Sequence, residues 1–203
     1  KKFEGARQNV ALHAGELTLG LVPPEHLGWH IRDAVGIAGA KRIGHGIDIS
    51  YDPDMYQTLQ LMAEGEVAVE INLTSNDVIL GVSGKDHPIS IYLENSVPIT
   101  ISTDDEGVSR INLTHEYQRA VETFDLGYET IKTISRNALQ YSFLPGRSLF
   151  QNTMDGSLNN ECRKGLPQDL EDRSNCSDFI LQSEKALMQW QLEKNFTTFE
   201  ANF

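Results

Sequence analysis

The chain has 203 residues, 39% of them hydrophobic, and it carries 17 basic against 29 acidic side chains, a formal net charge of −12. A surface this acidic repels phosphate backbones, so the charge argues against a general nucleic-acid-binding protein but not against a neutral nucleoside as a ligand. No apolar run of roughly eighteen residues occurs, so no transmembrane helix is predicted, and the length suits one domain or a little more.

Up to about residue 150, short apolar runs alternate with helical stretches. The predicted strands are 9–13, 41–45, 67–73 and 97–103. They show little alternation of apolar and polar residues, which is typical of strands buried on both faces of a parallel sheet. The predicted helices are 24–40, 53–63, 87–95 and a long region from 112 to 142 with a break near 126–127. This order predicts an α/β fold with right-handed crossovers.

After Pro145 and Gly146 the character of the sequence changes. Residues 151–177 are polar and are predicted to be a loop, whereas 178–203 is predicted to be an amphipathic helix. The predicted division of the chain is therefore 1–150, 151–177 and 178–203. Cys162 and Cys176 both fall in the polar segment. They would be free thiols in a reducing compartment or a disulfide in an oxidising one, and the sequence leaves both options open.

Each of the four predicted strands ends in side chains that are capable of catalysis or metal binding. The strings are His13-Ala-Gly-Glu16, Gly44-His45-Gly46, Glu70-Ile-Asn72-Leu-Thr-Ser75-Asn76 and Ser102-Thr-Asp104-Asp105. In barrels and open α/β sheets the functional site forms at the carboxyl ends of the strands. Each residue alone has a simpler explanation, since a histidine after a strand is most often structural and paired aspartates most often cap a turn or helix. Four such strand ends in succession favour a common site.

These side chains suit metal-assisted hydrolysis. Histidine and aspartate are zinc ligands, a catalytic zinc keeps one position open for water, and the metal lowers the pKa of that water towards neutrality. A carboxylic acid is then needed to protonate the substrate, and a histidine or aspartate to orient the attacking oxygen. His26 and His30, four residues apart in a predicted helix, offer a second chelating pair, but surface or packing roles are favoured for them.

Three strings taken together, His13-Ala-Gly-Glu16, Arg42-Ile-Gly-His-Gly46 and Ser102-Thr-Asp-Asp105, resemble the adenosine deaminase family of metal-dependent (β/α)8 barrels. The resemblance covers roughly residues 5–150, and the stretches 105–110 and 142–150 resemble the branch that includes the secreted, growth-factor-type adenosine deaminases. It implies that the chain supplies about the last four β/α units of a TIM-type barrel plus a C-terminal helical tail. A closed barrel of this type has eight strands and typically about 250 residues.

The resemblance also implies a role for each matched position. His13 and Asp104 would be zinc ligands, and Asp104 would also contact the attacking water. Glu16 would be the proton shuttle that protonates N1 of the purine, and His45 would orient the attacking hydroxide and stabilise charge as it forms. The implied reaction is the zinc-dependent hydrolytic deamination of adenosine or deoxyadenosine, with inosine and ammonia as the products from adenosine.

Gly15 and Asp105 would contact the substrate, Asp105 through the purine N7. The family also takes two zinc-binding histidines, spaced His-x-His, from its first barrel strand. No His-x-His occurs in this sequence, so these two ligands are expected upstream of Lys1; otherwise the protein is inactive as a zinc enzyme. Four strands of an opened barrel would expose two sheet edges, so the isolated chain is predicted to be poorly stable and nearly inactive.

Three functions stay open. The first is deamination of adenosine, the second is deamination of adenine or another 6-aminopurine at the same site, and the third is an inactive binding or growth-factor-like protein. The intact set of reactive residues argues against the third. The predicted partner is a small-molecule purine nucleoside, with neither nucleic acid nor a membrane, and the oligomeric state is left open. A periplasmic or secreted location is slightly favoured over the cytoplasm.

Overall fold

In the computed structural model, which describes residues 9–203, four parallel strands form the central sheet. The strands are β1 (Ala11–Ala14), β2 (Arg42–His45), β3 (Ala68–Ile71) and β4 (Ile99–Ile101), in the order β1-β2-β3-β4. Every predicted strand is found, and helical structure follows each one. Parallel neighbours joined by helices are repeats of the β/α unit, so the predicted α/β architecture is confirmed.

The register of the sheet brings the reactive strand ends to one edge. Ala14 pairs with His45, and Ile71 pairs with Ile101. Because parallel strands point the same way, the residues that follow these positions emerge at the same end of the sheet. Among residues 9–203, β1 and β4 each pair with a single neighbour, so the sheet has two free edges.

Seven helices surround or follow this sheet: α1 (His30–Gly36), α2 (Met55–Glu64), α3 (Leu73–Leu80), α4 (Ile89–Glu94), α5 (Glu106–Ser109), α6 (Leu113–Phe124) and α7 (Tyr128–Gln140). The predicted break in the long helical region is confirmed. Helix α6 ends at Phe124, and Asp125 takes the left-handed conformation with φ +52° before α7 begins at Tyr128. A residue in that conformation cannot continue the hydrogen-bond ladder of an α-helix.

The continuous helix predicted for 24–40 is wrong. A short 3₁₀ turn covers Pro24–His26, and α1 begins only at His30. The interruption falls at Gly28, which has φ +80° and lies so close to Tyr51 that a Cβ there would stand 2.2 Å from the Tyr51 carbonyl oxygen. This close backbone approach is a tertiary requirement, and only glycine satisfies it. Because the helix is broken, His26 and His30 do not share a helix face.

The end of the predicted third strand also differs from the structure. The strand ends at Ile71 rather than Leu73, and residues 73–80 form α3. The Asn72 carbonyl accepts a hydrogen bond from the Asn76 amide, which starts the helix, and Gly81 ends it with φ +67°. The apolar residues that suggested a longer strand therefore belong to the first turn of a helix.

The contacts divide the chain into two compact units, one reaching to Ile134 and the other Ser135–Phe203. The first unit is built around a core in which strand residues such as Ile43, Val69 and Ile99 pack with helix residues such as Leu59. The division predicted at 150 and 177 follows the change in polarity of the sequence, whereas the contacts place the boundary inside α7.

The second unit has its own small core and a disulfide. Strands β5 (Phe150–Asn152) and β6 (Ser157–Leu158) form a hairpin within the segment predicted as a loop. Cys162 and Cys176 are bonded to each other and buried in this core.

The predicted single C-terminal helix is two helices, α8 (Asn175–Leu181) and α9 (Glu184–Glu200). Ser183 separates them because its backbone is extended and its hydroxyl accepts the amide of Ala186, which makes it the N-cap of α9. Within residues 9–203, no helix is both long and apolar enough to cross a membrane.

Candidate active site

Three of the predicted site residues converge at the carboxyl end of the sheet. One ligand atom each from His13, Glu16 and His45 lies within 4.8 Å of the other two. The rings of His13 and His45 are tilted by 30° with their centroids 5.0 Å apart. His13 lies in β1, Glu16 follows it and His45 ends β2, so the pairing of β1 with β2 is what brings them together.

His45 is buried and its backbone is held in an uncommon conformation. Only 1% of the residue is exposed, and its φ is +72°. The next residue, Gly46, also has a positive φ, and its carbonyl accepts a 2.5 Å hydrogen bond from the buried hydroxyl of Tyr92. A non-glycine residue with positive φ costs of order 1–3 kcal/mol, and such residues concentrate at functional sites. The hydroxyl of Tyr92 thus holds the backbone at His45 and Gly46 in the conformation that places the His45 ring in the cluster.

Two carboxylates face the Nε2 atom of His45. Glu16 Oε2 lies 3.6 Å away and Asp104 Oδ2 lies 3.9 Å away. Burial lowers the pKa of His45 below the usual 6.5, although the two carboxylates act in the opposite direction. The imidazole is therefore predominantly neutral at pH 7.

Asp104 reaches the cluster from β4. Its backbone has φ +51°, and its Oδ2 atom accepts a 2.7 Å hydrogen bond from the hydroxyl of Ser75 in α3. Asp105, the next residue, is exposed at the N-terminus of α5. The structure therefore brings Asp104 next to His45, and it leaves Asp105 at the rim.

Gly15 has a steric role that the sequence did not indicate. It is buried with φ +73°, and a Cβ at this position would stand 2.3 Å from Oδ1 of Asp48. Asp48 is fully buried, and its Oδ2 accepts hydrogen bonds from the amide of Gly28 at 3.3 Å and from Nδ1 of His30 at 3.2 Å. Its Oδ1 has no hydrogen-bond partner among the described residues, and burial raises the pKa of the carboxyl.

Buried amides and a second histidine surround the other side of the His45 ring. Asn72 and Asn76 each place a side-chain nitrogen near His45 Nδ1, at 3.3 and 3.0 Å. Nε2 of His87, at the start of α4, lies 3.1 Å from Oδ1 of Asn76. Asn72 and Asn76 were candidates for the site because they follow a strand. No feature of the sequence distinguished His87 from any other residue at the start of a helix.

The donor set fits a zinc ion. Imidazole nitrogen and carboxylate oxygen are ligands that zinc accepts, and His13 and Glu16 offer one of each within 4.8 Å. Asp104 offers a second carboxylate, 3.9 Å from Nε2 of His45. If His13 and Asp104 are the ligands, they fall short of the three protein ligands that a catalytic zinc commonly has, so a further ligand would have to come from another residue.

Comparison with known proteins agrees with this geometry. The family model described as adenosine deaminase matches residues 2–151, about three quarters of the chain. The chain belongs to the adenosine deaminase family. A curated relative from Clostridium perfringens (strain 13 / Type A), named adenosine deaminase, is 37% identical over 135 residues, which is 66% of this chain and 37% of the relative. The chain thus spans well under half the length of that member of the family.

Solved deaminase structures share the fold. An N6-methyl-AMP deaminase from Arabidopsis thaliana matches with a TM-score of 0.54 and 26% identity over 66% of this chain and 36% of that one. An adenine deaminase from Arthrobacter aurescens matches with a TM-score of 0.55 and 22% identity, covering 66% and 38%. The matched region is a part of each longer chain, as the predicted portion of a barrel would be, so the fold prediction is confirmed.

Proposed function

We propose that the protein containing this chain is a zinc-dependent aminohydrolase that converts adenosine to inosine and ammonia. The observation that carries the proposal is the convergence of His13, Glu16, His45 and Asp104 at one end of the sheet. Membership of the adenosine deaminase family supports the same reaction class.

Each side chain has a task that its position supports. Glu16 is only partly buried and would hold the proton that goes to N1 of the purine ring, which makes the ring a better acceptor of a nucleophile. His45, neutral and rigidly held, would orient the attacking oxygen. Asp105, exposed at the rim, would contact the purine at N7.

His13 and Asp104 are the residues of this chain that we assign as zinc ligands. When bound, zinc supplies a Lewis acid that lowers the pKa of water and makes a nucleophile available at neutral pH. The hydroxyl of Ser75 fixes the orientation of the Asp104 carboxylate, as the partners of metal ligands commonly do.

Adenosine is preferred here over a nucleotide because the strand ends are rich in carboxylates. Glu16, Asp104 and Asp105 bring three negative charges to the site, and these would repel a phosphate group. Adenine is the alternative substrate, because the residues assigned to the purine ring would serve a base as well as a nucleoside.

The test uses the full-length natural polypeptide that contains this chain, loaded with zinc. We expect adenosine to be converted to inosine, followed by the loss of its ultraviolet absorbance, and Glu16→Gln to abolish turnover while zinc remains bound. Asp104→Ala should lose both zinc and turnover. Glu25→Gln, an exposed glutamate in the 3₁₀ turn, is the matched control and should behave as the parent.

Each other outcome has a definite meaning. Turnover of adenine without adenosine would replace the proposed substrate by the alternative. Normal turnover by the Glu16→Gln variant would refute the role of Glu16 as the acid. A zinc-loaded protein that leaves every 6-aminopurine unchanged would refute the proposed activity and favour a binding protein.

We also propose that the protein works in an oxidising compartment, periplasmic or extracellular. The support is the Cys162–Cys176 disulfide in the core of the second unit, because structural disulfides persist mainly outside the reducing cytosol. Alkylation of protein extracted from its natural source under acid quench should leave both cysteines unlabelled until a reductant is added. Immediate labelling of both would place the protein in a reducing compartment.

A further inference from the structure

A series of hydrogen bonds runs from the backbone of α4 to the buried ring of His45. It begins at the amide of Ile89, which donates to Nδ1 of His87 at 3.2 Å. It continues from Nε2 of His87 to Oδ1 of Asn76 at 3.1 Å, and from Nδ2 of Asn76 to Nδ1 of His45 at 3.0 Å. All the side chains of this relay are buried, so water does not compete for these bonds.

The direction of every bond in the relay is determined by its first member. A backbone amide can only donate, so Nδ1 of His87 must accept and carries no proton. Burial, with a smaller effect of Arg119, lowers the pKa of His87 to about 4, so its ring is neutral and its single proton lies on Nε2. That proton is donated to Oδ1 of Asn76.

The orientation of the Asn76 amide follows from this. With Oδ1 turned to His87, the Nδ2 group faces His45 and can only donate. Nδ1 of His45 is then an acceptor, and the proton of the neutral ring lies on Nε2. Asn72 also points its Nδ2 group at His45 Nδ1, which agrees with an unprotonated nitrogen there.

We propose, on the basis of the function proposed above, that Asn76 and His87 are positioning residues that hold His45 in its Nε2–H tautomer, so that it presents a hydrogen-bond donor to the active site. The Nε2 atom is the one that faces Glu16 and Asp104. A nitrogen that carries a proton has no lone pair for a metal, so the relay keeps His45 from acting as a ligand although it lies within the cluster. His45 instead offers its proton to an oxygen on the substrate side.

The relay ties the proton position on His45 to the backbone of α4. The bond from Ile89 belongs to the backbone of α4, and it depends only on that helix being folded. The tautomer of His45 is thus set by buried residues of the fold. Removing the relay should change the proton position on His45 before it changes the fold.

The first experiment reads the tautomer directly in the full-length polypeptide that contains this chain, without metal. With 15N-labelled histidine, two-bond 15N–1H correlation spectra at about pH 8 distinguish protonated from unprotonated ring nitrogens. The His45 signals are assigned by their loss in His45→Gln. We expect Nδ1 of His45 to be unprotonated and Nε2 to be protonated; the opposite pattern in the parent would overturn the proposal.

The decisive variant is Asn76→Asp, which is nearly isosteric and replaces the donor by an acceptor. It should accept from His87 Nε2 and from His45 Nδ1, and so move the His45 proton to Nδ1. Asn95→Asp is the matched control, because its amide donates to the Ile91 carbonyl in the same unit, and it should leave the parent pattern unchanged. An Asn76→Asp protein that retains the Nε2–H pattern would show that Asn76 does not set the tautomer.

Substitutions at His87 cover the case in which Asn76→Asp does not fold. His87→Gln retains a donor for Asn76 and should keep the parent pattern, whereas His87→Phe removes it, frees the amide to turn and should give a mixture of tautomers. Identical, unmixed patterns in both variants would overturn the role of His87.

Activity gives an independent measurement in the zinc-loaded, full-length protein. We expect Asn76→Asp to lower kcat by about 100-fold with little change in KM, because removing one donor at such a site commonly costs 10²–10³ in kcat. His87→Gln should stay within about fivefold of the parent, the range expected when the donor is kept. An unchanged kcat in Asn76→Asp would overturn the proposal. If the parent protein deaminates nothing, only the proposed function is refuted, because the spectra test the relay without any need for activity.

Discussion

Gly15 provides a sharp test of how the active-site end of the sheet is built. Its backbone has φ +73°, and a Cβ placed on it would stand 2.3 Å from Asp48 Oδ1 and 2.9 Å from Ile31 Cδ1. The Asp48 carboxylate cannot swing away freely, because its other oxygen holds the amide of Gly28 and the ring of His30. Gly15→Ala should therefore be destabilising for two separate reasons.

Both reasons have a magnitude. The left-handed conformation costs an alanine roughly 1–2 kcal/mol relative to glycine, and forcing an extra methyl group into a packed site adds roughly 1–3 kcal/mol. Gly39→Ala isolates the first contribution, because Gly39 has φ +70° and nothing lies within 4 Å of its Cβ position. We expect Gly39→Ala to lower the free energy of unfolding by about 1–2 kcal/mol and Gly15→Ala by about 2–5 kcal/mol.

Urea unfolding at 25 °C, followed by far-ultraviolet circular dichroism, measures both variants. The Asp48→Ala background completes the comparison, because it removes the atom that the new methyl group strikes. In that background the cost of Gly15→Ala should fall towards the cost of Gly39→Ala. Equal costs for the two glycine variants in the parent chain would refute the steric argument, and so would an unchanged cost in the Asp48→Ala background.

Three further predictions concern His87, the disulfide and Tyr92. The pKa of His87 is lowered to about 4 in the folded chain, against about 6.5 in the unfolded chain, so stability is highest above pH 6.5 and falls by about 3 kcal/mol in total as the pH drops towards 4. In the His87→Gln variant, the free energy of urea unfolding should vary less with pH over that range. An unchanged pH dependence would contradict a buried neutral ring at His87. Breaking the bond between Cys162 and Cys176, which lie 14 positions apart in the sequence, should destabilise the second unit by about 3 kcal/mol. The loss should be seen as a lower urea midpoint after reduction and alkylation, and equal midpoints would argue against the bond. Tyr92→Phe should lower the free energy of unfolding in urea by about 1–3 kcal/mol, because the buried carbonyl of Gly46 loses its hydrogen-bond donor. A change near zero would indicate that this carbonyl finds another partner.

The sequence was sufficient to find the strands and the residues that follow them. Buried parallel strands are short, continuously apolar and rich in β-branched residues, so β1 to β4 stand out from their surroundings. His13 and His45 lie at the ends of such runs, and Glu16 and Asp104 follow them. The geometry of a parallel sheet then requires these residues to share one end. The convergence of the cluster is therefore a consequence of local patterns combined with one rule of topology.

Elements shaped by distant contacts were not predictable in the same way. The helix expected at 24–40 is interrupted at Gly28 because the backbone of Tyr51 passes against it, and these two positions are separated by a strand. The end of β3 was misplaced because the apolar residue Leu73 suits a strand and a helix turn equally. Short apolar runs do not distinguish the two structures by periodicity.

For the candidate site, sequence patterns predict which residues carry the chemistry and at which end of the sheet they meet. The tertiary structure alone decided what holds them: Tyr92 beneath Gly46, Asp48 against Gly15, and the relay through Asn76 and His87. Candidate catalytic side chains can be predicted because their chemical type and their place at the end of a strand are both visible in the sequence. Their support comes from ordinary residues far along the chain, whose significance depends on burial and on the direction of hydrogen bonds.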